Sequence, residues 1–353
     1  MTYAPGPYGY GYAPAPPPPK PGVIPLAPLD LNHVLSGAFG AYRRHWKALL
    51  GMGLAAYTLA GAVAVGLSVA GWAALSDSWR AMGDTPSTGD AELSDLTPLF
   101  LGLGGLWLVF ALGVLLATGL LHAAVAVVVQ EAVLGRRIGF GTVWRRAWSR
   151  LGSVLGTVLL PALAALVPAL LFLFGLCLML GAMLASLDTE GDNGGGLAIT
   201  GVLVILLSTA TTPIALWIWV KFSLAPTAAV VESAGTLTAM RRSAQLVRGS
   251  WWRVFGYTLV MALIVGGVSF AVQAVISLTT QATVFGVPLS QHPTPGTIFL
   301  SMATMAITGG LLTLLTQLLL GPLLPLTSSL LYVDQRIRKE NLAPVLAATA
   351  ART

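Results

Sequence analysis

The sequence predicts an all-α integral membrane protein whose six transmembrane helices form three parallel two-helix repeats, each preceded by a basic amphipathic interfacial helix. Three observations lead to this prediction. The 353-residue chain is 56% hydrophobic and 9% charged, whereas soluble domains carry about 25% charged residues. Its few charges lie in short clusters that separate long apolar runs. A bulky residue followed by a pair of arginines recurs three times, at intervals of 102 and 96 residues.

The first segment, residues 1–28, is rich in Pro, Gly, Tyr and Ala and includes the run PAPPPPKP at 14–21. Such a segment buries too little apolar surface to offset its chain entropy, and its prolines favour polyproline II. We therefore expect a disordered cytoplasmic tail. The alternative is a docking site for a protein partner that binds Pro-rich segments. The tail has no basic stretch followed by an apolar one, so no cleavable signal peptide is predicted.

Uncharged apolar runs mark the six spans of a membrane domain at 29–342, which a short cytoplasmic tail at 343–353 follows. The runs lie near 48–75, 98–130, 151–187, 197–220, 254–279 and 298–325. Each is long enough for the roughly 20 helical residues that cross a bilayer. The second run would extend roughly 50 Å as a helix, well beyond the hydrocarbon thickness. We expect the ends of the even spans to project from the bilayer beneath the amphipathic helices, or to break at Pro226.

Charge predicts the topology. Placing both termini in the cytoplasm puts every Lys and Arg except Arg80 on the inside, and puts the acidic residues of the 76–97 and 188–196 loops outside. This distribution is typical of the positive-inside rule. We therefore predict a multi-pass protein of the bacterial plasma membrane with cytoplasmic N and C termini.

The internal repeat has units of about 100 residues, near 30–134, 135–234 and 235–342. Each unit has the same order: basic amphipathic segment, outward span, outer loop, inward span and acidic residue. Gly51, Gly156 and Gly256 occupy a common position in the odd spans. Because every unit starts and ends on the same side, the copies are parallel and imply a pseudo-three-fold axis along the membrane normal.

The arginine pairs are candidates for binding lipid phosphates, because each guanidinium offers a fork of two parallel donors. Their alternative role is to set the topology and keep one helix face polar. The candidate residues are Arg43, Arg44, Arg145, Arg146, Arg241 and Arg242.

The acidic residues that end the units are Glu131, Glu232 and Asp334, at intervals of 101 and 102 residues. They could form a ring that receives protons or a cationic substrate. The alternative is that each carboxylate pairs with a nearby arginine, such as Arg136, Arg241 or Arg336, and ends its helix.

No catalytic residue, metal site or cofactor is predicted. His122 lies in an apolar run without a spaced carboxylate or second His, so we expect a packed, hydrogen-bonded histidine. Lys221 is expected to extend to the interface. The single Cys177 allows no disulfide within the chain. The net charge is +6, and the basic residues flank the apolar runs. This arrangement favours anionic membrane lipids over nucleic acid as the partner.

Three stretches resemble the glycerophosphoryl diester phosphodiesterase membrane-domain family, in its stand-alone actinobacterial form. They are PLDLNHVLSGAFGAYRRHWKALL at 28–50, AAVVESAGTLTAMRRSAQLVRGSWWRVFG at 228–256 and SSLLYVDQRIRKENL at 328–342. The resemblance implies a membrane module involved in handling lipid or envelope components. The residues outside the repeats leave no room for the catalytic barrel that some members carry, so phosphodiesterase activity is not expected.

The function predicted from the sequence is therefore non-enzymatic. We expect a scaffold or adaptor that contacts anionic lipid through its basic segments. The alternative is a small transporter or lipid-translocating protein with its pathway on the pseudo-three-fold axis.

Overall fold

The computed structural model describes residues 22–84, 93–186, 194–286 and 309–351. Within these residues every regular element is helical, which confirms the all-α prediction. The helices are α1 Leu31–Asp84, α2 Leu93–Val133, α3 Phe140–Ala185, α4 Gly194–Phe222, α5 Ala225–Val231, α6 Thr236–Val247, α7 Trp251–Gly286, α8 at 309–320, α9 Leu323–Glu340 and α10 Ala343–Ala351. Residues 1–21 of the predicted tail and residues 85–92, 187–193 and 287–308 of the predicted loops and sixth span lie outside this description.

Six stretches of helix in the described residues are long and apolar enough to cross a membrane. They are Leu31–Val63, Ala111–Val133, Phe140–Met183, Gly195–Val231, Trp251–Leu278 and Gly309–Glu340. They coincide in order with the six apolar runs of the sequence and fit a multi-pass membrane protein.

The buried core lies at one end of the molecule, formed by residues 117–133 of α2 together with α5 and α9. We call this the basic end, because all three arginine pairs cover it. Leu121, Val125 and Leu330 are buried there. Away from this end, large apolar side chains such as Leu173 and Phe270 are exposed. The basic end is therefore packed like a soluble domain, while the rest presents an apolar surface suited to lipid.

The amphipathic segments lay their apolar faces on this core. Val34 at the start of α1, Val143 at the start of α3 and Leu246 in α6 are all buried. Each segment joins its span differently. A kink at His45 interrupts α1, with φ −120° and ψ 21°. The second segment continues into its span as one helix, α3. The third is separate, since Gly249, with φ +80°, lies between α6 and α7.

Two of the three even spans break where they reach the core. The fourth ends at Phe222 and resumes as α5, which has Pro226 in its first turn. The sixth is interrupted before α9, whose N-cap is Pro322. The α2 helix has no such break. Proline removes a backbone donor and clashes with the preceding turn, which accounts for the positions of both breaks.

Residues 22–29 extend the packed domain into the predicted tail. Ile24 and Leu29 are buried, and the Val23 N–H donates to the Ala132 carbonyl oxygen at 3.2 Å. A Cβ at Gly22 would overlap the Ala132 carbonyl oxygen at the end of α2. The packed domain thus begins before residue 28, because this short apolar segment covers the ends of α2 and α9.

Candidate functional site

The three acidic residues that end the predicted repeats all lie at the basic end. Glu131 is near the end of α2, Glu232 directly follows α5, and Asp334 lies within α9. Their helices form the core, so the carboxylates are held at its margin. Each one forms an ion pair with at least one arginine.

Glu131 pairs with the second amphipathic segment. Its Oε1 accepts from Nη1 of Arg146 at 3.0 Å, and its Oε2 lies 3.9 Å from Nη1 of Arg136. Arg136 was among the partners expected from the sequence. Arg146 adds a stronger contact, because the start of α3 packs beside the end of α2.

Glu232 is the centre of the largest network. Its Oε1 accepts from Nε of Arg242 at 2.9 Å and from the hydroxyl of Tyr332 at 2.6 Å. Arg242 also forms an ion pair with Glu340, which accepts from Nε of Arg336 at 2.9 Å. The arginine paired with Glu232 is therefore Arg242, where the sequence suggested Arg241, because α6 turns its second arginine toward α9.

The environment of Glu232 favours its charged form. Burial raises the pKa of this carboxyl group. The hydrogen bonds from Tyr332 and Arg242, with the positive charges of Arg242 and Arg336, outweigh burial and lower the pKa below its ordinary value of 4.5.

Asp334 is fully buried and holds the chain's N-terminal segment. Its Oδ1 accepts from the backbone N–H of Leu29 at 2.8 Å and from Nε of Arg338 at 2.9 Å. Nη2 of Arg338 donates to the Leu29 carbonyl oxygen at 2.9 Å. The sequence suggested Arg336 as the cation for Asp334. Arg338 takes that place, because it lies four residues on and so one helical turn away.

The two arginines of each pair have different environments. The second members contact protein: Arg44 donates to the Gly135 carbonyl oxygen, and Arg146 and Arg242 bind Glu131 and Glu232. The first members, Arg43, Arg145 and Arg241, are exposed, and no described residue forms a hydrogen bond or ion pair with their guanidinium groups. Of the six predicted lipid-phosphate candidates, three are thus engaged in the fold and three face outward.

The acidic residues do not jointly line one cavity. A cavity of about 290 Å³ at the basic end is lined by Glu131, Tyr332 and Arg336, with Leu346 of α10 on its wall. Glu232 and Asp334 are not among its lining residues. Of the predicted acidic ring, Glu131 alone therefore faces this space.

A second cavity of about 270 Å³ lies further from the basic end, among α2, α3, α4, α5, α7 and α9. Its polar lining consists of one imidazole and five hydroxyl groups, from His122, Thr118, Thr157, Ser223, Thr258 and Ser328. Nδ1 of His122 donates to the Thr118 carbonyl oxygen at 2.9 Å. The packed, hydrogen-bonded histidine expected from the sequence is present, and it also faces this cavity.

The side chains at the basic end are suited to binding anions. Among the described residues no three His, Cys, Asp or Glu side chains lie close enough to hold a metal ion. The carboxylates already have cationic partners, whereas the outward arginines have donors to offer.

The sequence did not reveal Tyr332, Arg338 or Leu29 as part of this arrangement. Helical spacing from Asp334 could have suggested Arg338. Tyr332 lies 100 residues from Glu232 and Leu29 contributes only backbone atoms, so neither leaves a local pattern in the sequence.

Comparison with known proteins gave one match. A family model described as "Domain of unknown function (DUF7847)" matches residues 29–321. The searches of curated proteins and of solved structures gave no match. The match covers most of the membrane domain described above, including Glu131, Glu232 and all three arginine pairs. The chain therefore belongs to the DUF7847 family.

Proposed function

We propose that this protein is a non-enzymatic scaffold of the bacterial plasma membrane that holds anionic lipids of the cytoplasmic leaflet against its basic end. The observation that carries the proposal is the outward position of Arg43, Arg145 and Arg241. A guanidinium without a protein partner, at the level where spans begin, is well placed to bind a lipid phosphate.

Exposed aromatic side chains accompany these arginines. Trp46, Trp148 and Trp252 are 46%, 51% and 78% exposed at the ends of the amphipathic segments or the start of the next span. Indole rings favour the boundary between headgroups and hydrocarbon. Their positions support amphipathic helices that lie in the interface, with the arginines directed to the headgroups.

The cytoplasmic orientation of the basic end rests on charge. All Lys and Arg except Arg80 belong to segments at the basic end or to the termini, while the stretches 76–97 and 188–196 carry an acidic excess. The positive-inside rule then places both termini in the cytoplasm.

Equivalent contacts support the three-unit repeat. Ala126, Thr227 and Ser329 each lie five residues before an acidic residue. The Thr227 and Ser329 hydroxyl groups are 2.9 Å apart although 102 residues separate them. This contact is expected where two copies meet at a pseudo-three-fold axis.

A second set of contacts repeats between successive units. Gly51 leaves room for the ring of Phe140, and Gly156 leaves room for the side chain of Thr236. In both cases the glycine of one odd span admits the start of the next amphipathic segment. The ion pairs follow the same order. Glu131 pairs with Arg146 and Glu232 pairs with Arg242, in each case an arginine of the next amphipathic segment.

The proposal is tested with the triple variant R43Q/R145Q/R241Q in nanodiscs of mixed anionic and zwitterionic phospholipid. At about 1 kcal/mol for each basic residue near an anionic surface, the preference for anionic lipid should fall roughly a hundredfold. The matched variant R43K/R145K/R241K keeps the charges and should keep most of the preference. An unchanged preference in a folded glutamine variant would refute lipid holding by these residues.

The adaptor role concerns the Pro-rich tail. Residues 22–29 are packed in the core, so a deletion of residues 1–21 removes the tail and spares the fold. Under this proposal the deletion abolishes crosslinking to a protein partner, while lipid preference stays unchanged. Equal crosslinking with and without residues 1–21 would count against an adaptor function.

Transport, or translocation of a lipid, is the second candidate function, and the two cavities favour it. Pro226 and Ser328 line the cavity of His122. The cavity of Glu131 is lined by Thr227, which follows Pro226, and by Tyr332, one helical turn after Ser328. The two spaces therefore lie about one helical turn apart. The hydrogen bond between Thr227 and Ser329 lies between them and would act as the gate of a pathway near the axis.

Cysteine accessibility distinguishes transport from a closed scaffold. With Cys177 replaced by Ser, S328C reports on the cavity of His122 and Q130C on the cavity of Glu131. A pathway predicts that a small hydrophilic thiol reagent labels both, and that T227A speeds labelling of S328C. Labelling of Q130C alone, with or without T227A, would exclude a pathway through this contact.

The resemblance to the glycerophosphoryl diester phosphodiesterase membrane-domain family supports the lipid-related part of the proposal. It implies a role in handling lipid or envelope components, and no catalytic residue comes with it.

A further inference from the structure

A cleft of about 450 Å³ lies at the basic end, where the last turn of α4 faces the end of α6 and the start of α7. Lys221, Gln245, Arg248 and Trp251 contribute its polar groups, and Trp217 forms part of its apolar wall. The cleft involves none of the three outward arginines.

The cleft is largely apolar, and the charged groups beside it are cations. Nζ of Lys221 lies 4.6 Å from the centre of the Trp217 ring, which holds the ammonium group by a cation–π contact. The Arg248 side chain is exposed and forms no hydrogen bond or ion pair with any described residue. No carboxylate is among the lining residues, so the two cations lack an anion.

Lys339 adds to the positive charge beside the cleft. Its Nζ donates to the carbonyl oxygens of Gln245 at 3.2 Å and Arg248 at 2.6 Å. These bonds engage two backbone acceptors beside the cleft and place a third positive charge next to it.

The apolar side of the cleft continues along α4. Trp217 and Ile214 are 49% and 61% exposed on this span. A phosphate held at Lys221, in the last turn of the span, would lie at headgroup level, with its acyl chains along the exposed face of α4. A free inorganic phosphate would leave that apolar face uncovered.

We propose that this cleft is a specific site for one anionic phospholipid, whose phosphate binds Lys221 and Arg248. The inference rests on the proposed membrane placement of the basic end. It differs from the lipid holding of the three outward arginines in being a single recessed site.

The test is native mass spectrometry of the full chain in detergent, titrated with phosphatidylglycerol, phosphatidylcholine or inorganic phosphate. The intact protein should bind one phosphatidylglycerol before any others. Removing two charges in K221Q/R248Q should weaken this first binding roughly thirtyfold, and K221R/R248K should restore most of it. Thermal unfolding without lipid checks that each variant is folded, and the exposed R248Q alone should give a partial loss.

Three results would overturn the proposal. They are equal binding of phosphatidylglycerol by K221Q/R248Q and the intact protein, equal binding of phosphatidylcholine, and binding of inorganic phosphate as tight as that of the lipid. The variant R43Q/R145Q/R241Q separates the two ideas. If it loses the general anionic preference but keeps the first tight lipid, both proposals stand. If instead R43Q/R145Q/R241Q keeps the general anionic preference, and only K221Q/R248Q weakens lipid binding, the outward arginines are not the lipid-holding residues.

Discussion

The backbone N–H of Leu29 donates to Oδ1 of Asp334 at 2.8 Å, across 305 residues of sequence. The same carboxylate holds Arg338, whose guanidinium returns to the Leu29 carbonyl oxygen. In the two other acidic positions a carboxylate meets the arginine of the following unit. Asp334 instead accepts from the segment that leads into the first unit, so backbone atoms of Leu29 close the proposed ring of units.

Asp334→Asn should destabilise the protein. The substitution removes the charge of a fully buried carboxylate that pairs with Arg338, whose side chain is 27% exposed, and we expect a loss of about 1–3 kcal/mol. The measurement is the apparent melting temperature in detergent. Asp30→Asn is the control, because that side chain is 81% exposed and should change stability by less than about 0.5 kcal/mol. Equal melting temperatures for both variants would show that the charge of Asp334 adds no stability.

Arg242→Gln should destabilise the protein more than Arg241→Gln, although the residues are adjacent. Arg242 binds Glu232 and Glu340, so its loss leaves Glu232 without an ion-pair partner and Glu340 with Arg336 alone. We expect a cost of about 1–2 kcal/mol. Arg241 has no such partner and should be neutral in detergent without lipid. Equal melting temperatures for the two variants would contradict the prediction.

Acidification should weaken the network at Glu232. Because the folded state lowers the pKa of this carboxyl group, its contribution to stability is present above the unfolded value near 4.5 and is lost as the pH falls through the lower folded pKa. Glu232→Gln removes this contribution. The melting temperature of the variant should therefore fall less between pH 5 and pH 3 than that of the intact protein. Parallel pH curves would contradict the assignment.

Gly156→Ala and Gly256→Ala form a matched pair at positions that the sequence aligns. A Cβ at Gly156 would lie 2.6 Å from both Cγ2 and Oγ1 of Thr236, whereas a Cβ at Gly256 meets nothing within 4 Å. Overpacking against a stiff β-branched side chain should cost about 1–3 kcal/mol. Gly256→Ala should be neutral or stabilising, since alanine favours helix. A neutral Gly156→Ala would mean that α6 does not pack against α3 at this point.

The sequence predicted the helical class and the six apolar helices because hydropathy and charge act locally along the chain. It also predicted corresponding places for Glu131, Glu232 and Asp334, and each lies at the basic end in an ion pair with an arginine. It could not show which arginine each carboxylate binds, since adjacent arginines point about 100° apart on a helix. Which of them turns inward depends on how α3 and α6 pack.

The sequence also did not show where the packed domain begins. Ile24, Leu26 and Leu29 follow a Pro-rich run and lack any helical periodicity. Their burial arises from the groove between the ends of α2 and α9, which exists only in the folded protein. Tertiary packing therefore moves the boundary that composition alone set at residue 28.

The location of the core has a consequence for biogenesis. The spans can enter the bilayer one after another as the chain is made, yet the basic end is incomplete until α9 has emerged from the ribosome. Until then the ends of α2 and α5 lack the apolar surface of Leu326, Leu330 and Leu331, which are buried against the core. A chain that stalls before α9 would thus have its first five spans inserted but would expose this apolar surface to chaperones and proteases on the side of the basic end.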